Sequence, residues 1–112
     1  MYSLSILRLA LIVFFSSLAM ANQAKIEISS PLDKAKIDIK KESQLIYNLT
    51  LGNGADHAHA YIDSKEIAIL RKMKGSYTLA PMLPGAHVIC IKMVNKNHTP
   101  IGVDRCISVT VE

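Results

Sequence analysis

Two histidines that alternate with alanine are the side chains of this sequence best placed for chemistry. His57 and His59 belong to the run from Asp56 to Asp63, which reads DHAHAYID. On a β-strand, residues two positions apart project from the same face and lie about 6–7 Å apart, so both imidazoles can reach one metal ion. The pair can also be two ordinary residues of a half-exposed strand, and the pair alone favours that simpler interpretation.

The elements that must position these histidines are short strands. Alternating runs of apolar and polar residues are separated by turn residues about every 8–12 positions, and no long helical periodicity follows residue 22. This pattern predicts an all-β fold, an immunoglobulin-like antiparallel β-sandwich of seven or eight strands. The predicted strands are Lys25–Ser29, Ala35–Ile39, Gln44–Leu51, His57–Asp63, Ile67–Arg71, Ser76–Ala80, Ala86–Val94 and Val103–Val111.

The predicted fold brings a third imidazole and a thioether towards the histidine pair. In an immunoglobulin-like sandwich, the strand that begins at His57 lies beside and antiparallel to the seventh predicted strand. We therefore expect Met93, and His98 in the loop that follows, near His57 and His59. Imidazoles with a thioether suit copper, and imidazoles alone also suit zinc. The sequence predicts a metal site with these three histidines as ligands, Met93 as a weak ligand and Asp56 as an outer partner.

The fourth histidine is expected to be structural. His87 stands near the start of the seventh predicted strand, at the far end of the sandwich from the other three. The antiparallel arrangement places it near Asp63, where we expect a hydrogen-bonded strand-end residue rather than a metal ligand.

The two cysteines are expected to form a disulfide. If the last two strands form a hairpin centred on His98, Cys90 lies directly opposite Cys106, and Lys92 lies opposite Asp104. In an exported chain two such thiols are most simply a structural disulfide. Thiolate metal ligands are the alternative.

The first 21 residues have the features of a signal peptide. An early Arg8 precedes the apolar run Leu9–Phe15, and Ala19 and Ala21 occupy the small positions of a cleavage site. We expect a mature domain of residues 22–112 that is periplasmic or secreted and has no membrane span after cleavage. The alternative is a retained anchor, although the apolar run is too short to span a bilayer comfortably.

Composition and motifs argue against several function classes. The chain has 112 residues, no Trp and a formal net charge of +4, which is typical of one small domain. No nucleophile motif, zinc-protease motif or phosphate-binding glycine loop is present, so we expect no enzyme. Nucleic-acid binding is not expected either, because no aromatic residues are interleaved with the mild basic cluster. That cluster consists of Lys34, Lys36, Lys40 and Lys41.

Several short stretches resemble known exported domains. Residues 29–33, which read SSPLD, resemble the opening of many bacterial immunoglobulin-like modules. Three others together resemble an uncharacterised family of small exported domains with a His-rich strand, a Pro-Gly-x-His turn and a late Asn-x-His. These are His57–Asp63, Leu83–His87 and Asn97–His98.

The stretch from Leu83 to Val111 is also similar in outline to periplasmic copper-resistance proteins of the CopC type. Those proteins have a glycine turn, a long strand, a loop with one histidine (here His98), a glycine (here Gly102) and a final strand. The resemblance implies copper. The CopC-type site also uses a histidine at the mature N-terminus, where this chain is expected to begin with Asn22. A copper site here must therefore rest on the strand histidines.

The sequence as a whole predicts an exported, non-enzymatic β-sandwich that binds copper or zinc through a histidine cluster at one end. Its role would be to buffer or transfer the metal. The alternative is a metal-free module that engages another envelope protein or serves as an accessory domain.

Overall fold

Residues 23–112 are described by a computed structural model. The expected signal peptide and its cleavage site lie outside these residues. Every predicted strand is present, with ends that differ from the prediction by up to three residues. The strands are β1 Lys25–Ser30, β2 Ala35–Ile37, β3 Ser43–Thr50, β4 His57–Ile62, β5 Lys65–Leu70, β6 Lys74–Leu79, β7 Gly85–Val94 and β8 Pro100–Val111.

The strands form two sheets. One has three strands in the order β1-β3-β6, and the other has five in the order β2-β8-β7-β4-β5. Neighbouring strands are antiparallel, except that the short β2 pairs with β8 in parallel. This arrangement confirms the predicted all-β sandwich with eight strands. No helix within residues 23–112 could span a lipid bilayer.

Strict alternation along the strands fills the space between the two sheets. In β7, Ile89, Ile91 and Met93 are fully buried, and in β3 Leu45 and Leu49 are buried as well. Because side chains alternate between the two faces of a strand, the residues between them point away from the core. The five-stranded sheet therefore has an outer face on which polar groups can gather.

A tight turn joins the histidine-bearing strand β4 to β5. Asp63 and Ser64 have φ values of 50° and 70°, and positive φ at both central residues is the mark of a type I′ hairpin turn. The Asp63 carboxylate accepts a hydrogen bond from the Val88 amide at 2.9 Å. This bond ties the turn to the start of β7.

His87 lies beside this turn, as predicted. Its Nδ1 is 2.5 Å from Asp63 Oδ2 and its Nε2 is 2.6 Å from the carbonyl oxygen of Leu83. Both ring nitrogens face acceptors, which favours the protonated imidazolium. Hydrogen bonding to Asp63 and then to Leu83 raises the pKa of His87. Hydrogen bonds from the Val88 amide and then from His87 lower the pKa of Asp63.

The His87–Asp63 pair should stabilise the fold most between the unfolded-state pKa values of the two groups, roughly pH 4 to 6.5. As pH rises above that range through the raised pKa of His87, its contribution is lost. As pH falls through the lowered pKa of Asp63, the contribution of the carboxylate is lost. We expect the Tm difference between wild type and His87→Gln, measured in chelator, to shrink from pH 5.5 to pH 8. A constant difference would contradict this role.

Candidate metal centre

His57 and His59 rise from the outer face of the five-stranded sheet. In the β4–β7 pairing, His57 lies opposite Val94 and His59 opposite Lys92. Ala58 between them belongs to the core, so the two histidines project away from the core. Both are nevertheless almost fully buried, with exposed fractions of 1% and 4%. The site is therefore an enclosed pair of imidazoles on the outer side of the sheet.

The loop between β7 and β8 supplies the third imidazole. The register of the Lys92–Asp104 pair would set Val94 opposite Gly102, but Val94 pairs with Pro100 instead. Strand β8 therefore contains two extra residues at this point. The extra residues in β8 include Gly102, whose φ of 88° is left-handed backbone that glycine adopts readily. Bulges of this kind bend a hairpin, and the tip of this one lies over the histidine pair.

Asn95 organises the tip of that hairpin. Its side-chain oxygen accepts hydrogen bonds from the amides of Asn97 and Thr99 at 2.9 and 3.0 Å. Its carbonyl oxygen accepts a bond from the amide of His98, which has a φ of 63°. These contacts hold His98 with its ring over the strand histidines while one side of the residue stays exposed.

Three ring nitrogens converge at this point. His57 Nε2 is 3.0 Å from His59 Nε2 and 3.2 Å from His98 Nδ1, and His59 Nε2 is 2.9 Å from His98 Nδ1. These three side chains form the one group of three or more potential metal ligands found among residues 23–112. We call this group the histidine cluster.

Each strand histidine has one carboxylate within hydrogen-bonding distance of its second ring nitrogen, Nδ1. Asp56 Oδ2 is 2.8 Å from His57 Nδ1, and Glu66 Oε1 is 2.6 Å from His59 Nδ1. An ionised carboxylate only accepts hydrogen bonds, so each Nδ1 carries the proton and each Nε2 carries a lone pair. Asp56 is the residue predicted as an outer partner of the metal site, whereas Glu66 was not predicted.

With the Nε2 lone pairs of both strand histidines directed inward, the centre of the histidine cluster favours a cation. His98 Nδ1, if protonated, can donate to one Nε2 atom or share its proton between both. The lone pairs of His57 and His59 still face each other across 3.0 Å. A metal ion held by the three nitrogens would turn this repulsion into three coordinate bonds. Histidine ligands whose second nitrogen donates to a carboxylate are the usual arrangement in metal sites.

A β-bulge places Glu66 at the site. The β4–β5 register shifts so that Ala60 lies opposite Ala68 while Tyr61 lies opposite Glu66. Ile67 is the extra residue, and both Ile67 and Ala68 pack against the core. The shift moves Glu66 to the outer face beside His59. Without it, alternation would turn this carboxylate towards the other face.

Burial favours the neutral, metal-binding form of His59. Desolvation lowers the pKa of His59, and positive charge on His57 or His98 lowers it further, against the opposing effect of Glu66. The hydrogen bond to His57 lowers the pKa of Asp56, with help from the charges of Arg71 and Lys96. Neutral imidazoles beside ionised carboxylates are the ligand state that coordination requires.

Met93 lies on the wrong side of the sheet to act as a ligand. It pairs with Ala58 in the β4–β7 register and is fully buried in the core. Residues directly opposite each other on antiparallel strands share a face, so the thioether points away from His57 and His59. The prediction of Met93 as a weak ligand is wrong for this reason.

The cysteines pair as the hairpin register requires. Cys90 and Cys106 are directly opposite each other and form a disulfide, with Cα atoms 4.1 Å apart. Lys92 lies opposite Asp104, as predicted, and the Lys92 ammonium sits 5.1 Å from the centre of the Tyr61 ring. Both sulfurs are engaged with each other, so the thiolates do not serve as metal ligands.

Comparison with known proteins shows the class of fold. No family model and no curated protein matches the chain. Similar solved structures are fibronectin type III-like and CARDB domains, and the chain has the same immunoglobulin-like sandwich fold.

Two of these structures give the extent of the likeness. A fibronectin(III)-like module of CbhA from Clostridium thermocellum is 12% identical, with a TM-score of 0.64, over 78% of this chain and 94% of that one. The CARDB domain of PF1109 from Pyrococcus furiosus, in complex with di-metal ions, is 13% identical, with a TM-score of 0.57, over 81% and 89%. At such identities the likeness shows the fold alone. The sequence resemblances to the His-rich exported family and the CopC type are not shown by these comparisons.

Proposed function

We propose that this protein is an exported, non-enzymatic immunoglobulin-like module that binds one copper or zinc ion through His57, His59 and His98. Its role is to buffer or transfer that ion outside the cytoplasm. The observation that carries the proposal is the convergence of three ring nitrogens at 2.9–3.2 Å. The carboxylates on the two strand histidines support it, because they leave both Nε2 lone pairs directed into the cluster.

The donor set narrows the choice of metal. Three neutral imidazoles suit copper and zinc, whereas calcium and magnesium prefer oxygen ligands. Met93 lies in the core, so it supplies no thioether that would favour Cu(I) at this position. Since divalent copper exceeds zinc in affinity for a given nitrogen site, we expect Cu(II) to bind more tightly than Zn(II).

An extracytoplasmic location is supported by the Cys90–Cys106 disulfide. Such bonds persist in oxidising compartments and are rare in the cytosol. The sequence features of residues 1–21 point the same way. We therefore propose that the protein is periplasmic or secreted.

A competition titration tests the proposal. The protein, exported to a bacterial periplasm and purified without metal, is titrated with Cu(II), Cu(I) and Zn(II) against chelators of known affinity. We expect one equivalent of metal to bind, with Cu(II) tightest. Weak, nonstoichiometric binding of all three ions would contradict the proposed function.

Glu66→Gln should lower the affinity for Cu(II) or Zn(II) by about 10- to 100-fold, as loss of an outer carboxylate typically does. The amide still reaches His59 but lacks the charge that makes the imidazole a better ligand. Glu27→Gln, an exposed change in the other sheet, is the matched control in the same titration. Equal affinities for the two variants would remove Glu66 from the site.

The second candidate is a metal-free module that engages an envelope protein. The specific observation in its favour is the edge strand β5, which pairs with β4 on one side only and carries Ile69 with 47% of its surface exposed. Free strand edges are sites of strand addition by other chains. This candidate leads if the titration fails.

A further inference from the structure

We propose that the metal ion in the histidine cluster keeps a coordination position open to solvent, and that this position takes a small anion attracted by Arg71 and Lys96. The inference rests on the proposed function, since it concerns the same metal. It adds a ligand class, a monodentate inorganic anion, that the chain itself does not supply.

The first step is the ligand count. His57, His59 and His98 form the cluster, and no fourth histidine, cysteine or carboxylate joins it among residues 23–112. Asp56 and Glu66 are engaged with the outer nitrogens. Zinc takes four or five ligands, and a site with three protein ligands fills the fourth position from solution.

The second step is the size of the nitrogen triangle. With edges of 2.9–3.2 Å, an ion at the centre of the triangle would be about 1.8 Å from each nitrogen, shorter than the usual metal–nitrogen bond of about 2.0–2.1 Å. The ion must therefore sit about 1 Å to one side of the nitrogen plane to reach that length. All three protein ligands would then lie on one side of the ion, and its opposite side would have no ligand from residues 23–112.

The third step is access. The strand histidines rise from the outer face of the five-stranded sheet, so the sheet backbone blocks the inner side of the cluster. His57 and His59 are buried, whereas His98 is exposed. Solvent therefore reaches the cluster beside His98, and an external ligand must enter there.

The fourth step is charge. Three neutral imidazoles leave the charge of a divalent ion intact, and Asp56 and Glu66 balance it. Arg71 adds positive charge, with Nη1 3.9 Å from Asp56 Oδ2 and the side chain 62% exposed. Lys96, two residues before His98 in the exposed loop, lines the same surface cavity as Asp56. These two cations favour an anion over a neutral ligand at the open position.

Azide is the probe for this position. The protein loaded with one equivalent of Cu(II) is titrated with sodium azide while the azide-to-copper charge-transfer absorption is recorded. We expect a saturable band, weakened by added chloride. The double variant Arg71→Gln/Lys96→Gln should bind azide about two- to fivefold more weakly at low salt, the effect expected of exposed charges. Lys41→Gln, at the opposite end of the sandwich, should bind azide as wild type does.

The outcomes separate the two proposals. If one equivalent of Cu(II) binds but azide produces no band, or azide strips the copper from the protein, the open position is wrong and the metal site stands. If azide binds equally to the double variant and to Lys41→Gln, the assignment of the two cations is wrong. If no stoichiometric copper binds at all, the proposed function fails and this inference fails with it.

Discussion

Replacing His57 and His59 with alanine is expected to abolish stoichiometric binding of Cu(II) and Zn(II). The two residues supply two of the three converging nitrogens, and the single imidazole of His98 that remains belongs to an exposed loop. One imidazole cannot chelate, so the loss should exceed the roughly 10- to 100-fold effect of removing an outer carboxylate. The same competition titration against chelators measures it.

The fold should survive this double substitution. Both histidines project from the outer face of the sheet, not into the core, where their neighbours Ala58 and Ala60 pack. The carboxylates that lose a partner, Asp56 and Glu66, have side chains 34% and 48% exposed, so water can replace the imidazoles. Circular dichroism and thermal unfolding of the metal-free variant should resemble those of the metal-free wild type.

His87→Ala is the matched control because it removes an imidazole that makes no contact with the cluster. His87 is bound to Asp63 and Leu83 near the β4–β5 turn. Metal affinity in this variant should equal that of wild type. One-to-one binding that persists in folded His57→Ala/His59→Ala would show that the ion sits elsewhere, and the histidine cluster would lose its proposed role.

The convergence of the histidines could be predicted because it depends on strand order and direction. Alternation placed His57 and His59 on one face, and the antiparallel neighbour brought the following loop to the same end. The same argument placed Cys90 opposite Cys106. The first inference needed the period of two and the strand order of the sandwich, and the second needed only the period of two and the hairpin register.

Met93 could have been excluded from the same pattern. It has the parity of Ile89 and Ile91, which marks it as a core residue, and the strand pairing sets it opposite Ala58. The antiparallel neighbour strand brought Met93 close to the histidine pair and so suggested a ligand, but proximity does not decide on which face a side chain lies. Alternation was the stronger constraint.

Glu66 could not be predicted because its position depends on a bulge. The bulge is stabilised by tertiary contacts: Ile67 packs against the core and its carbonyl oxygen accepts a hydrogen bond from the Tyr77 hydroxyl at 3.1 Å. Residues 65–70 read KEIAIL, which carries no glycine or other local signal for an inserted residue. A single inserted residue reverses the face of those beyond it. The outer carboxylate of His59 thus became visible only with the pairing of β4 and β5.

Reducing the Cys90–Cys106 bond is expected to lower the Tm of the metal-free protein by more than about 10 °C. The bond closes a loop with a sequence separation of 16, which corresponds to about 3 kcal/mol in the chain-entropy account. In a domain of this size each kcal/mol shifts Tm by about 4–8 °C. The effect is large because a small domain without Trp has a limited core to offset it.

The position of the disulfide makes this experiment practicable without unfolding the protein first. Cys106 is exposed and Cys90 partly so, on the outer face of the sheet, so a reductant can reach the sulfurs in the folded state. Mass spectrometry after alkylation establishes that both thiols are free, and thermal unfolding is then compared with the oxidised form. The variant Cys90→Ser/Cys106→Ser should unfold near the temperature of the reduced wild type and respond to reductant no further. An unchanged Tm with both thiols alkylated would mean that strand pairing between β7 and β8, with the Lys92–Asp104 pair beside the cysteines, already restricts the chain as much as the disulfide does.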